Sequence, residues 1–280
     1  MDGRLWYLRR LNTYKTEKPY HINLPARALG CHWQTNEVSQ EQGDIRIEDI
    51  RGREEHFSLD TNGFQVLRAA WNGLNHDDPD AVRRGYYHTI ECLLEDRLGA
   101  RFAKAFTHDI RRREASFPAL PRGTGRSPQP IQGVHVGMFT GSVMNKPDFT
   151  PRWAKEKLRM LFGDEQAQDI LRHKWQVLKY IDKAIGEASM WLMTSNSVWR
   201  PLFGPLQDWP LALCDYSSID PWRDLEPSDN IYTHLITETY NVYYHPQHRW
   251  YFLGDMQPEE LLIFKSYDSS ASNGTARGTS

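Results

Sequence analysis

The sequence predicts a single α+β domain in which helices pack against a mostly antiparallel β-barrel or sandwich. Two observations predict this fold class. Helical segments with capping signals lie before residue 189. After that residue, strand-like segments separated by Pro, Gly and Asp turns follow one another without a helix between them. The predicted strands lie at residues 189–198, 210–215, 233–243, 248–253 and 260–267.

The N-terminal region predicts a peripheral hairpin followed by two helices. Short β-like runs at 45–50 and 56–59 are separated by turn residues and form the hairpin. The segment 64–74 is interpreted as the first helix. An Asp-Pro pair opens the second helix, 78–98, and Gly99 lies just past its end. Both ends of that second helix are therefore marked in the sequence.

The middle of the chain predicts two short strands on either side of a long loop. Residues 101–110 have strand character, and 134–136 form a short strand. The segment 111–132 between them is rich in Pro, Gly and Arg, and its length is typical of loops that border functional sites.

A long helix is predicted to begin at Thr150 and Pro151, because threonine is a typical N-cap residue and proline is typical of the first helical position. The helix is interrupted at Gly163, and its apolar face continues to Ile185 with the spacing of a helix that lies on a sheet. The small polar residues 269–280 predict a disordered tail. The single domain therefore spans residues 1–268.

Composition excludes several classes of function. The 280 residues carry 34 Lys and Arg against 36 Asp and Glu, so neither a nucleic-acid partner nor an anionic membrane is expected. No stretch reaches the roughly 18 apolar residues that a membrane span requires. The three cysteines, Cys31, Cys92 and Cys214, form an odd and widely spaced set, which argues against a disulfide framework and a zinc site. A cytosolic protein is the simplest interpretation.

His135 is the first candidate for chemistry. Residues two apart on a strand face the same side, so the pair His135 and Gly137 has a spacing that suits two metal ligands, but glycine brings no ligand atom. A structural histidine with a hydrogen-bond partner is therefore the first interpretation of His135, and metal ligation is the alternative.

A second histidine pair precedes an aromatic run. His245 and His248 lie three residues apart, ahead of Trp250 and Tyr251. That spacing suits one helical turn better than a strand edge. The simplest interpretation is a turn packed by aromatic residues.

Arg200 closes the segment that begins at Asn196. An arginine beside Trp199 at a strand end could stack on the indole ring and still offer its guanidinium to a carboxylate of a ligand. Equally, it could pair with Asp208 or Asp215 and fix a loop. Both interpretations stay open on the sequence alone.

Met138 and Phe139, together with Trp191 and Met193, could line an apolar pocket, although such residues at strand spacing are more often plain core. The sequence has no Gly-rich phosphate loop and no G-x-S-x-G motif, so nucleotide and serine-nucleophile chemistry are unsupported.

Several runs, taken in order, resemble a known family. They are FSLDTNGF (57–64), FTHDIRR (106–112), VHVG (134–137), VWRPL (198–202), DWPLALCD (208–215), HRWYF (248–252), MQPEE (256–260) and FKSYDS (264–269). In this order they resemble the fungal AsaB/CmcJ-like family of hydroxylases and desaturases of secondary metabolism, which is related to the non-haem iron(II), 2-oxoglutarate-dependent oxygenases. The resemblance covers nearly the whole chain.

The resemblance implies a double-stranded β-helix, or jelly roll, with flanking helices. It also implies an iron held by a His-x-Asp pair and a distal His, with an Arg for the 2-oxoglutarate carboxylate. His135 matches the first ligand, and Gly137 replaces the carboxylate, as in halogenating members of the wider class. The family's distal His, Arg and last strand would follow Ser280, so we expect a fold without that strand.

These considerations lead to one principal hypothesis, a tailoring enzyme of fungal natural-product biosynthesis that needs no cofactor. A redox-neutral cyclisation, pericyclic step, isomerisation or dehydration in a water-poor pocket fits best. The expected catalytic residues are His135, Arg200 and Tyr251. The expected substrate-binding residues are Met138, Phe139, Trp199, Asn196 and His248.

Two alternatives belong to other classes. A jelly roll without its last strand exposes an edge that another chain could cover, which suits a homodimer or a non-catalytic partner of an intact oxygenase. The other alternative is an Fe(II)/2-oxoglutarate-dependent hydroxylase, desaturase or halogenase. In each catalytic hypothesis the partner is a small natural product, without nucleic acid or membrane.

Overall fold

The computed structural model describes most of the strands and parts of the helices. It describes residues 1–23, 34–70, 73, 78–100, 102–105, 108, 110–111, 133–139, 152–172, 176–177, 195–233 and 236–268. The predicted tail, 269–280, lies outside the described residues.

The described residues form twelve strands and three helices. The strands are β1 (Asp2–Leu8), β2 (Tyr20–Ile22), β3 (Ser39–Asp49), β4 (Phe64–Arg68), β5 (His135–Phe139), β6 (Gln176–Val177), β7 (Ser195–Trp199), β8 (Leu213–Cys214), β9 (Leu225–Ile231), β10 (Ile236–Val242), β11 (Trp250–Phe252) and β12 (Glu260–Asp268). Helix α1 consists of Pro79–Ala81, a π-helical turn at Val82–Tyr86 and Tyr87–Leu98; α2 is Arg152–Leu171 and α3 is Pro221–Asp224. These elements confirm the α+β class.

The strands form three sheets. The first has the order β1-β3-β11-β8 and the second β2-β9-β10-β5; in the third, β12 pairs with β4, β6 and β7. Pairing is antiparallel except between β3 and β11 and between β2 and β9. Bridges from Trp6 to Gly133 and from Leu8 to Tyr243 join the first sheet to the second.

Residue alternation divides the interior into layers. Trp250 and Val136 pack between the first and second sheets, whereas Tyr251 joins the cluster between the first and third sheets. On the other face of the third sheet, Ile263 packs with Leu94 of α1. Each of the first and third sheets is therefore covered on both faces.

Helix α1 is capped at both ends, as the sequence predicts. The Asp78 carboxylate accepts hydrogen bonds from the backbone N–H groups of Asp80 and Ala81 at 2.9 and 3.1 Å. At the C-terminal end Gly99 has a φ of 61°, the left-handed conformation that glycine adopts without strain.

Replacement of Gly99 with alanine is expected to destabilise the protein by about 1 kcal/mol, because the new side chain is strained at positive φ. The matched control is Gly85→Ala in the same helix. Gly85 does not have a positive φ, and a Cβ there would meet nothing within 4 Å. The control should be neutral or stabilising by up to about 1 kcal/mol. Urea unfolding measures both, and a shift of the same sign in the two variants would contradict the assignment of the cap.

Several predicted elements in the N-terminal half are wrong. Within the predicted helix 64–74, residues 64–68 form strand β4, whose Phe64 pairs with Phe264 of β12; residues 71, 72 and 74 lie outside the described part. Phe64 and Val66 face one hydrophobic cluster and Leu67 faces the other, so strict alternation of apolar and polar residues is interrupted. The predicted peripheral hairpin is also absent from the described part of the chain. Residues 45–50 belong mostly to β3, which pairs with both β1 and β11, and a 3₁₀ turn occupies Glu54–His56.

The later predictions are partly corrected. Gly163 has a φ of 76° and interrupts α2 as predicted. The helix ends at Leu171 and strand β6 follows at Gln176–Val177, so the prediction that the helical face continues to Ile185 is wrong at β6. Residues 178–194 lie outside the described part. The described residues 102–105 form no strand. Helix α3 interrupts the late strand series, because Asp220 caps its N-terminus.

Candidate functional site

His135 begins strand β5, at the edge of the second sheet within the described chain. Val134 and Val136 are buried in the core between the first and second sheets, so alternation places His135 on the opposite face. The imidazole is half-buried, and its Nδ1 lies 2.9 Å from the carbonyl oxygen of Gly133. Because a carbonyl only accepts hydrogen bonds, Nδ1 carries the proton, and in the neutral ring the lone pair is on Nε2. This tautomer suits a general base or a metal ligand.

Asn241 of β10 is the register partner of His135. Its Nδ2 donates to Oε1 of Glu37 at 2.6 Å, and the Ser228 hydroxyl donates to the same oxygen. Glu37 thus fixes the amide that lies directly across from the imidazole.

A carboxylate ligand is missing beside His135. Gly137, two residues along β5, has no side-chain oxygen, and the pairing of β5 with β10 shifts register between Val136 and Phe139. Among the described residues, no group of three His, Cys, Asp or Glu side chains could hold a metal ion. The described donor set therefore does not fit the two-histidine, one-carboxylate iron site of the oxygenases.

Arg200 follows β7 in the third sheet, and its Nη2 donates to the carbonyl oxygen of Ala69 at 3.3 Å. Its Cζ lies 5.6 Å from the centroid of the Tyr86 ring, a cation–π contact with α1. The described contacts of Arg200 and His135 thus belong to different sheets. A substrate clamp at Arg200 stays a prediction.

Trp199 and Tyr251 both pack against the hydrophobic cluster between the first and third sheets. The Tyr251 ring packs edge-on against Phe57 at 4.8 Å and lies 6.1 Å from Phe64. Burial raises the pKa of Tyr251, so the phenol is protonated at neutral pH. The structure therefore brings these two predicted site residues together.

His248 is buried against Asp224. Its side chain is 1% exposed, its Nε2 lies 3.0 Å from Oδ2 of Asp224, and its ring stacks on Tyr7 at 6.0 Å. Burial lowers the pKa of His248, although Asp224 opposes that shift. These contacts tie β11 to α3 and β1.

Met138 and Phe139 lie on β5 and Asn196 lies on β7, but their side chains are outside the described part of the structure. Their substrate-binding roles, like those of Trp199 and His248, stay predictions. Sequence reasoning missed Glu37 and Asn241. The polar residues Thr237, Glu238, Thr239 and Asn241 in β10 were the available signal, whereas nothing in the sequence connects Glu37 to that strand.

Comparisons with known proteins place this chain in a family. The family model described as Oxidoreductase/YMDC permease-like domain matches residues 5–280. The hydroxylase/desaturase efuI of Hormonema carpetanum is 28% identical over 254 residues, covering 83% of this chain and 74% of that protein. The Fe(II)/2-oxoglutarate-dependent dioxygenase nvfI of Aspergillus novofumigatus is 28% identical over 232 residues, covering 80% of this chain and 70% of that protein.

A solved structure shares the fold. The iron and alpha-ketoglutarate-dependent endoperoxidase NvfI aligns with a TM-score of 0.74 and 23% identity, covering 100% of this chain and 88% of that one. This likeness confirms the jelly-roll architecture. No helix in the described ranges is long and apolar enough to cross a membrane.

The family match spans nearly the whole chain, and the named relatives agree with the oxygenase-like motifs of the sequence. The chain therefore belongs to the family of the Oxidoreductase/YMDC permease-like domain, an oxygenase-related family of fungal secondary metabolism.

Proposed function

We propose that this chain is a natural-product tailoring enzyme that catalyses a redox-neutral step at His135. The observation that carries the proposal is the hydrogen bond from His135 Nδ1 to the Gly133 carbonyl, which fixes the lone pair on Nε2. A neutral imidazole held in this tautomer offers Nε2 as a proton acceptor, which is what a general base requires.

The proposed step conserves electrons. His135 takes a proton from one atom of the substrate through Nε2 and returns it to another atom of the same molecule. Cyclisation or isomerisation leaves the molecular formula unchanged, and dehydration releases one water. No external oxidant or reductant is required.

An iron-dependent reaction is the second candidate, because two of the named relatives are a hydroxylase/desaturase and an Fe(II)/2-oxoglutarate-dependent dioxygenase. Gly137 argues against a complete facial triad, since it removes the carboxylate ligand of the His-x-Asp pair. A halide in the place of that carboxylate would make the second candidate a halogenase.

Deletion of the gene in its fungal host separates the two candidates. If the enzyme is redox-neutral, the deletion strain should accumulate a precursor that is isomeric with the missing product or heavier than it by one water. Purified protein should then convert that precursor in the presence of a chelator and without 2-oxoglutarate. A product that contains added oxygen or halogen, formed only with Fe(II) and 2-oxoglutarate, would establish the second candidate instead.

Gly137→Asp restores the His-x-Asp motif and is expected to raise Fe(II) affinity at least tenfold over the wild type, because it supplies the carboxylate ligand that the motif lacks in this chain. Titration calorimetry with Fe(II), with and without 2-oxoglutarate, measures the difference. Gly43→Asp, in strand β3 where an added Cβ would meet nothing within 4 Å, is the matched control for added charge. Equally tight Fe(II) binding by the wild type would contradict the metal-independent proposal.

A further inference from the structure

The sheet face around His135 carries polar side chains in buried positions. Thr239 is 7% exposed, and its hydroxyl accepts a hydrogen bond from Asn230 at 3.0 Å. Thr239 and Asn241 lie two apart on β10 and share the face of His135. Burial of polar groups costs free energy unless they are paired, so such a face is unusual in a purely structural sheet.

The orientation of the Asn241 amide is fixed. Asn241 Nδ2 donates to Glu37 Oε1 at 2.6 Å, so the NH₂ end of the amide faces the carboxyl group. The carbonyl oxygen Oδ1 is therefore the end of the amide that is turned away from Glu37. Across the strand pair, the lone pair of His135 is on Nε2. The two residues that face each other across this strand pair therefore each carry an acceptor atom, Oδ1 of Asn241 and Nε2 of His135.

The separation of Asn241 and His135 allows one substrate molecule to contact both acceptors. Residues directly opposite each other in an antiparallel sheet have Cβ atoms about 4.5–5.5 Å apart. One substrate molecule can reach both side chains at that separation. A site with two acceptors selects a ligand with two donors, and an aliphatic hydrocarbon offers none.

We propose that Asn241, held by Glu37, binds a hydroxyl group of the substrate beside the atom from which His135 takes its proton. The substrate is therefore a hydroxylated natural product. This inference rests on the proposed function of His135 and adds the substrate class and a specificity-determining residue. Asn241 accepts the hydroxyl hydrogen bond through Oδ1, and Glu37 is a positioning residue that acts through Asn241.

A purely structural role for the same contacts makes a different prediction. Glu37 also accepts a hydrogen bond from Ser228, which lies on β9, one strand further from His135. If the contacts only tie the segment around Glu37 to the sheet, loss of either donor should have the same effect. If Asn241 binds substrate, only its loss should change substrate choice.

The test compares two substrates in four proteins. The substrates are the precursor that accumulates in the deletion strain and its O-methyl ether, which lacks the hydroxyl donor. Wild type should prefer the precursor at least tenfold in kcat/KM. Asn241→Ala should raise KM for the precursor about tenfold or more and abolish the preference. Ser228→Ala should keep the preference and lower only thermal stability.

Glu37→Gln is the second variant, because it keeps the shape of the side chain and frees the amide of Asn241 to turn. It should weaken the preference several-fold and leave kcat nearly unchanged. An unchanged preference in both Asn241→Ala and Glu37→Gln would overturn the inference. A separate measurement of His135→Ala distinguishes the two failures. Full activity of His135→Ala refutes the proposed function. If His135→Ala loses activity while Asn241→Ala and Glu37→Gln keep the wild-type preference, only the role of Asn241 is refuted.

Discussion

Replacement of Asp224 with alanine is expected to lower the free energy of unfolding by about 3–5 kcal/mol, because it leaves buried donors without an acceptor. The carboxylate is 0% exposed. It accepts hydrogen bonds from Nε and Nη2 of Arg223 at 2.7 and 2.8 Å and from the backbone N–H of Asp220 at 3.0 Å. Its Oδ2 also bonds to Nε2 of His248 at 3.0 Å. Urea unfolding at pH 7 measures the loss.

Glu41→Ala is the matched control for this prediction. Glu41 forms an ion pair with Arg4, but the two side chains are 44% and 75% exposed. Solvent screens such a pair, so its removal should change stability little. Similar losses in the two variants would contradict the importance assigned to the buried carboxylate.

The same cluster predicts how stability depends on pH. Burial alone would raise the pKa of Asp224, but the hydrogen bonds from Arg223, His248 and the backbone of Asp220 outweigh it and lower the pKa from 3.8 to about 2. The folded state therefore keeps this group ionised more readily than the unfolded state does. Its contribution is complete above the unfolded value and is lost as the pH falls from about 4 to 2.

His248 adds an earlier stage of acid destabilisation. Burial lowers its pKa below 6.5, so on acidification the unfolded chain binds this proton before the folded protein does. Stability should start to fall as the pH drops below about 6.5 and should fall further below about 4. Glu260, whose pKa is about 2 because Arg51 holds it ionised against the effect of burial, contributes to the second stage. Asp224→Ala should therefore reduce the second stage without abolishing it.

The sequence predicted those elements whose signals are local. The cap of α1 at Asp78 and Gly99 and the break of α2 at Gly163 all depend on neighbouring residues, and the structure confirms them. Strand β4 differs from its predicted helix because Phe64 and Val66 pack on one face and Leu67 on the other, which interrupts the alternation that marks a strand. Strand β9 was missed because its sequence, LEPSDNI, contains Pro, Ser, Asp and Asn, which are typical of turns.

The candidate site was predicted only in part for a related reason. His135 could be singled out from the VHVG run, but Glu37 lies far from Asn241 in sequence, and only the folded chain brings them together. Arg200 and His135 were grouped by their residue types, whereas their described contacts lie in different sheets. Long-range pairing of this kind leaves no periodic signal in a single sequence.

His135→Ala is expected to lower kcat/KM for the accumulated precursor by about 10²–10⁴-fold, the range for removal of a general acid–base group. The folded structure should tolerate the change, because the ring is half-buried and its described hydrogen bond is to the nearby Gly133 carbonyl. Thermal unfolding should therefore change little. His56→Ala is the matched control, since that imidazole is 68% exposed and pairs with Glu55; it should retain full activity.

The pH dependence of kcat/KM tests this prediction further, because a histidine with only a structural role would not determine it. Wild-type kcat/KM should rise with pH through the pKa of His135, because only the neutral ring has the lone pair on Nε2 that accepts the proton. In His135→Ala the residual activity should lose that rise. A variant that keeps both the wild-type rate and the wild-type pH profile would show that His135 is only a structural histidine. The proton transfer would then have to be assigned to another group of the chain.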